Sequence, residues 1–348
     1  MAAEDIAELQ RAKYKRWSLI IVFMVLALFA AIIICLSIGV VSIPFDQVIS
    51  ILMGGGSDRD RHIIFNLRLP RVLLGVIVGA SLAVAGATMQ GLFRNPMASP
   101  SVIGISAGAA FGASLALVLG VSWVSGAFAI PAMAFLFAFI TLFLVYAVSR
   151  DRRGYVPVET LLLAGIAIGA LFNALVSALQ YFAGDKLSGV VFWLMGGLNN
   201  ATWDQILISI PAVILGCAVI MMLSRDLNAM MLGDAHALDL GVEVRKVRLQ
   251  LLVASALVTA AAVAFVGVIG FVGLVVPHIL RILMGPDNRV LLPASIVGGA
   301  AFLMMCDYIS RTIAPSIGIL PIGIITALIG APYFIYLLRR RRSEVGWD

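Results

Sequence analysis

Charge is what this sequence has least of. Only 12% of its 348 residues are Asp, Glu, Lys or Arg, where a soluble domain carries about a quarter. The scarcity is also uneven, because no charged side chain occurs over 72–93, 95–149, 160–184, 249–280 or 312–338. Such runs argue against a water-soluble fold, since crossing about 30 Å of hydrocarbon at about 1.5 Å per residue takes roughly 20 residues. Cysteine is scarce too: Cys35, Cys217 and Cys306 all fall inside apolar runs, where they read as small buried hydrophobes rather than a disulfide framework or a metal site. No GxxxxGK[ST], HExxH or CxxC occurs, so the chain carries no P-loop for a nucleotide and no zincin helix. Titratable groups at membrane depth are few, and His278 beside Pro277 is the one singled out; a lone His there reads first as satisfying local backbone groups. Ion-coupled transporters place such groups where the proton or sodium binds, which disfavours that class. The net charge of +6 does not point to nucleic acid, because the basic residues sit at the ends of apolar runs.

What remains is hydrophobic sequence, 62% of the chain. Charges, Gly and Pro divide it into ten expected spans, at 17–41, 69–91, 101–120, 126–149, 159–183, 205–224, 249–267, 270–284, 290–309 and 321–339. The first run follows Arg11 to Trp17 and reads as a span, being about 25 residues and too long for a cleaved signal segment. The seventh and eighth are the hardest to separate: 249–280 is uncharged for 32 residues, about 48 Å as one helix, and Gly267, Gly270, Gly273 and Pro277 are expected to break it. Charge bias supports that division. Ten spans with the N-terminus inside put 18 of the 24 Lys and Arg on the cytoplasmic side, whereas merging the two would leave 13 against 11. VVFWLMGGLNNATW, with Trp193 and Trp203, is expected to lie at the outer interface as a short helix. Glycines in GVIVGASLAVAGATMQG are read as points of close helix approach. The expected organisation is one integral domain over 17–340, with a cytoplasmic segment at 1–16, a tail at 341–348 and the longest cytoplasmic loop at 225–248.

That loop contains LGDAHALDLGVEVRKVR, a charged stretch between two very apolar runs. Asp234 is a candidate N-cap and Gly241 a stop, which leaves about two helical turns. Two turns are not stable alone in water, so the segment is expected to pack against something, either a partner surface or, as a solvated connector, its own bundle. In the fifth span Asn173, Ser177 and Gln180 recur at i, i+4 and i+7 and share a face, open to a pathway role or to interhelical hydrogen bonding.

RLPRVLLGVIVGASLAVAGATMQGLFRNPMASPSVIGISAGAAFGA, residues 68–113, closely resembles the signature of the FecCD-type permeases, membrane subunits of ATP-binding-cassette importers for iron-siderophores, heme and cobalamin. LLLAGIAIGALF, FWLMGGLNNATW, LGDAHALDLGV, GFVGLVVPHILRILMGPDNR and LPIGIITALIGAPYFIYLLRR follow in the family's order. The resemblance implies an all-α, polytopic ten-span bundle of the importer-permease fold. It further implies a homodimer in the cell inner membrane, two ATPase subunits that bind the ATP and Mg, and an external or periplasmic substrate-binding protein. No cofactor is expected in this chain, which would be a permease and not itself an enzyme. Iron-siderophore is the preferred cargo, then heme, then cobalamin, moved inward by alternating access; a passive channel or ion-coupled permease is the alternative. Carried onto this sequence, the coupling segment is Leu232, Gly233, Asp234, Ala235, His236, Ala237, Leu238, Asp239, Leu240 and Gly241. Arg68, Arg71 and Arg311 would dock the binding protein, Asn173, Ser177 and Gln180 would border the pathway, and Val158, Glu159 and Thr160 would form the inner gate. Three departures stand out: Ser99 replaces an acid in NPMASP, Ile319 precedes Leu320 where Glu is usual, and Asn288 stands where His is common.

Overall fold

The structure, a computed structural model, describes residues 3–39, 41–120, 128–152, 156–313 and 318–345. The described chain is helical. In order it runs through α1 (Ala3–Ser37), α2 (Phe45–Leu52), α3 (Asp58–His62), a π-helical segment (Ile63–Arg68), α4 (Leu69–Leu92), α5 (Ile105–Leu119), α6 (Ala129–Ser149) and α7 (Val158–Phe182). It continues through α8 (Leu187–Met195), α9 (Trp203–Met222), α10 (Ser224–Met231), α11 (Asp234–Asp239), α12 (Val244–Val266), α13 (Val272–Met284), α14 (Asn288–Thr312) and α15 (Ile322–Val345). Seven helical stretches are long and apolar enough to cross a bilayer, and three shorter apolar helices, Ile105–Leu119, Val272–Met284 and Ile322–Leu337, bring the apolar segments to the ten expected from sequence. The short helix expected between the fifth and sixth spans is α8.

Helix α4 is the axis of the bundle, packed by α12, α13 and α14. Its most apolar window is 83% buried, against 11% for α1, so α4 is core while α1 turns Leu19, Phe23, Leu26 and Phe29 outward. Glycine sets the spacing. A Cβ on Gly86 would lie 1.7 Å from the Gly273 carbonyl oxygen, and one on Gly79 would lie 2.4 Å from that of Gly299. Small residues let transmembrane backbones touch in this way, so the packing reading of these glycines holds. Gly86→Ala is therefore expected to lower stability by about 1–3 kcal/mol through overpacking against backbone. Gly270→Ala, where the added methyl meets nothing within 4 Å, is the matched control in a detergent unfolding series; equal effects would refute the close approach.

Helix α12 ends at Val266, and α13 begins only after Gly267, at φ +75°, and Phe271, at φ +66°. Gly267 and Gly270 lie in this break, but Gly273 and Pro277 do not. Both sit inside α13, where Gly273 serves the contact with α4. The irregular backbone is packed within protein: the Gly197 N–H donates to the Val266 carbonyl at 2.7 Å, and Gly323 approaches the Val268 carbonyl. Non-helical backbone is tolerated at membrane depth on that condition.

Candidate coupling and transport sites

Arg248 anchors the loop between α9 and α12. It is 2% exposed; its Nη2 meets Asp234 Oδ2 at 2.6 Å, and its Nη1 donates to the Val156 carbonyl at 2.8 Å. One guanidinium thus ties the start of α11 to the base of α12 and to the chain entering α7. Asp234 is not the N-cap that the sequence suggested: Gly233, at φ +118°, holds that position, and the carboxylate of Asp234 is turned to Arg248. The stop is as expected. Gly241 takes φ +84°, its N–H donates to the Leu238 carbonyl and the Val242 N–H donates to that of Ala237, both at 2.9 Å, which is a Schellman closure that favours glycine at the left-handed position. With Ala237 buried beneath, Leu232, Leu238 and Leu240 stand 67%, 60% and 66% exposed.

Sequence reasoning missed α10, which leads into this loop. Asn228 on α10 accepts from the Asn288 backbone N–H and from Asn288 Nδ2, each at 2.8 Å, and donates to Asp287 Oδ1 at 2.8 Å. Asn288, fully buried, therefore latches α10 to α14. Asp287 caps α14, accepting from the Arg289 N–H. Hydrogen bonding from the Arg289 side chain, partly opposed by burial, lowers its pKa from the ordinary 3.8 to about 2. A carboxylate depressed in the folded state contributes stability in full above its unfolded pKa and loses it as pH falls through the folded value. Acid unfolding between pH 4 and about 2 should therefore lose this contribution in the native chain, while Asp287→Asn should lack that component when circular dichroism is followed against pH.

Helix α7 buries one stripe, Leu161, Ala164, Gly165, Gly169, Phe172 and Val176, at the spacing of one helical face. On the other side Asn173 and Ser177 are exposed and Gln180 is half-buried, with the Ser177 hydroxyl donating to the Asn173 carbonyl at 3.0 Å. The three do share an open face. At the start of α7, where the gate trio is expected, Val158 is buried while Glu159 and Thr160 are exposed.

The arginines expected to face a docking protein are instead turned inward. Arg71 Nε and Nη2 donate to Asp307 Oδ1 at 2.9 and 2.7 Å, and its Nη1 donates to Asn199 Oδ1 at 3.1 Å. Arg311 Nη2 lies 2.8 Å from Asp307 Oδ2, an ion pair angled poorly for a hydrogen bond, while its Nη1 donates to the Cys35 and Ile38 carbonyls. Arg68 donates to the carbonyls of Leu36, Ser37 and Val41. The end of α1 is thereby capped by two cations, which satisfies carbonyls that a helix leaves free and suits its negative pole. Asp307, fully buried at the centre, was not singled out from sequence, because it lies two residues from the end of an expected span and reads as a boundary.

Ten apolar helices around a glycine-packed axis, with polar clusters at both ends, define a multi-span membrane transport subunit. The chain belongs to the FecCD transport family, whose profile matches residues 23–340. The cobalamin import system permease protein BtuC of Halobacterium salinarum is 46% identical over 290 residues, 83% of this chain and 77% of that protein. The hemin transport system permease protein HmuU of Yersinia pestis is 43% identical over 292 residues, 81% and 85% of the two chains. A solved structure described as an inward-facing conformation of a "putative metal-chelate type ABC transporter" is similar at TM-score 0.82 and 35% identity, covering 92% of this chain and 99% of that one.

Proposed function

We propose that the chain is the permease subunit of an ATP-binding-cassette importer, working as a homodimer in the cell membrane and moving a bulky metal chelate inward by alternating access. ATP hydrolysis belongs to a separate subunit, as it does for permease relatives. The observation that carries the coupling role is the trio Leu232, Leu238 and Leu240, held in water on a loop that Arg248 tethers rigidly. Fully burying one such leucine on a partner yields about 1.5–3 kcal/mol, which is reason to read the surface as a docking element for the ATPase. A cysteine at position 240 should cross-link to the ATPase in membranes containing the whole transporter, and one at position 57 should not. Absence of any cross-link from 232, 238 or 240 would contradict the reading.

Among the cargoes, cobalamin and heme gain support from the names of the relatives, and a cobalamin-type chelate is now the preferred reading, ahead of iron-siderophore. Direct binding of cobalamin, hemin and a ferric siderophore to the cognate external protein separates them. The open face of α7, with Asn173 and Ser177, is the proposed pathway wall. Docking of the external protein is proposed to respond to the outer cluster as a unit: Arg68, Arg71 and Arg311 outnumber the Asp307 carboxylate, so an acidic surface meets a positive field although each guanidinium is held internally. That field should make docking weaken as ionic strength rises, measured as affinity between 20 and about 200 mM salt; a salt-independent affinity would remove this role.

A further inference from the structure

Where α4 ends, next to the coupling loop, an open pocket of about 400 Å³ is lined by Arg94, Asn95, His278 and Arg281 among others. Two arginines enter it, and among the described residues no carboxylate lines it. Nη2 of Arg281 is buried with no hydrogen-bond acceptor, and its Nη1 faces only a weak one, the thioether of Met231, at 3.9 Å. A desolvated guanidinium without an acceptor is costly, and an anion that supplied one would remove the cost.

Arg94 points the same way from its backbone. Helix α4 closes with the Asn95 N–H donating to the Gln90 carbonyl at 3.1 Å, a closure whose left-handed position usually belongs to glycine. Arg94 occupies it at φ +50°. A non-glycine residue there is held under strain by its surroundings, a condition that clusters at ligand clamps. The substitution also brings the Arg94 guanidinium within 3.6 Å of the space above Gly233, at the head of the coupling helix.

We propose that Arg94 and Arg281, with His278 beside them, form a binding site for a phosphate-type oxyanion adjoining the coupling loop. The planar fork of Arg matches such an anion through paired charge-assisted hydrogen bonds. The pocket's volume of about 400 Å³ admits a tetrahedral oxyanion. Two sources share this chemistry. Ile279, Ile282 and Leu283 are exposed along the adjoining face of α13, a track that suits the acyl chain of an anionic lipid; free phosphate is the other source. The site does not depend on the transport reading, and its test uses neither cargo nor ATPase.

The test is thermal unfolding of the purified full chain in neutral detergent, with inorganic phosphate in one arm, phosphatidylglycerol in a second and phosphatidylcholine as the lipid control. The native midpoint should rise by about 2–4 °C with phosphate or phosphatidylglycerol, and phosphatidylcholine should leave it unchanged. Arg281→Gln should lose the rise while melting no lower than the native chain in the absence of anion, because it removes an unsatisfied buried charge. Arg94→Gly, which relieves the left-handed strain, tests the same loss if the first variant fails to fold. Arg289→Gln, at an arginine already paired with Asp287, should keep the rise. A response to phosphatidylglycerol alone assigns the site to a lipid headgroup, and a response to phosphate alone assigns it to the free anion. No response to either, or a response that persists undiminished in Arg281→Gln and Arg94→Gly, overturns the proposal.

Discussion

Leu238→Asp is expected to abolish ATP-driven uptake while leaving the permease folded in the membrane. Leu238 is 60% exposed on α11, so the substitution costs the isolated subunit little. Against a partner surface the outcome differs, because a carboxylate would have to be buried without a counter-charge. Central apolar contacts at interfaces are worth 2 kcal/mol or more when lost, and adding the desolvation penalty makes a weakening of about 100-fold or greater the expected result. Co-purification of the ATPase with tagged permease reads it directly, with Leu238→Met, which keeps volume and polarity, as the variant that should remain coupled. Normal co-purification and normal uptake in Leu238→Asp would remove α11 from the coupling surface.

The second large effect lies at the opposite end. Asp307→Ala should cost about 3–5 kcal/mol, because removing one partner of a buried ionic network strands the rest; here two guanidiniums, Arg71 and Arg311, would lose their shared carboxylate. The same reasoning predicts partial rescue: Asp307→Leu combined with Arg71→Met and Arg311→Met removes the stranded charges and should recover part of the loss, short of what the Cys35 and Ile38 carbonyls lose with Arg311. Denaturant unfolding of the three proteins in detergent checks both statements. If Asp307→Ala unfolded within about 1 kcal/mol of the native chain, the cluster would not be what holds α1, α4 and α14 together.

The spans were legible in the sequence because their signal is simple: long uncharged runs and a one-sided distribution of Lys and Arg. The glycine seam of α4 was legible for a related reason, since Gly75, Gly79 and Gly86 recur within one apolar run. What stayed hidden depends on distance along the chain. Asp234 looked like a cap because the residues after it fit a helix start, and its true partner, Arg248, lies fourteen positions away. Asp307 meets Arg71 across 236 positions. Asn288 was noted as a departure from the family's usual residue, but its role as a latch needed Asn228, on a helix that its own residues, SRDLNAMM, do not announce. Gly273 was assigned to the break because glycine between apolar runs usually interrupts a helix; the requirement it meets is contact with Gly86. In each case a local rule competed with a tertiary contact, and the contact decided.

Reconstitution tests the central claim most directly. The permease, its ATPase and the cognate binding protein are placed in proteoliposomes, and accumulation of the chelate is measured with ATP on the ATPase side. The account predicts accumulation that requires both ATP and the binding protein, stops with vanadate, and is lost with Leu238→Asp. Chelate movement by the permease alone, running down its gradient without ATPase or binding protein and indifferent to vanadate, would contradict it and make the chain a channel.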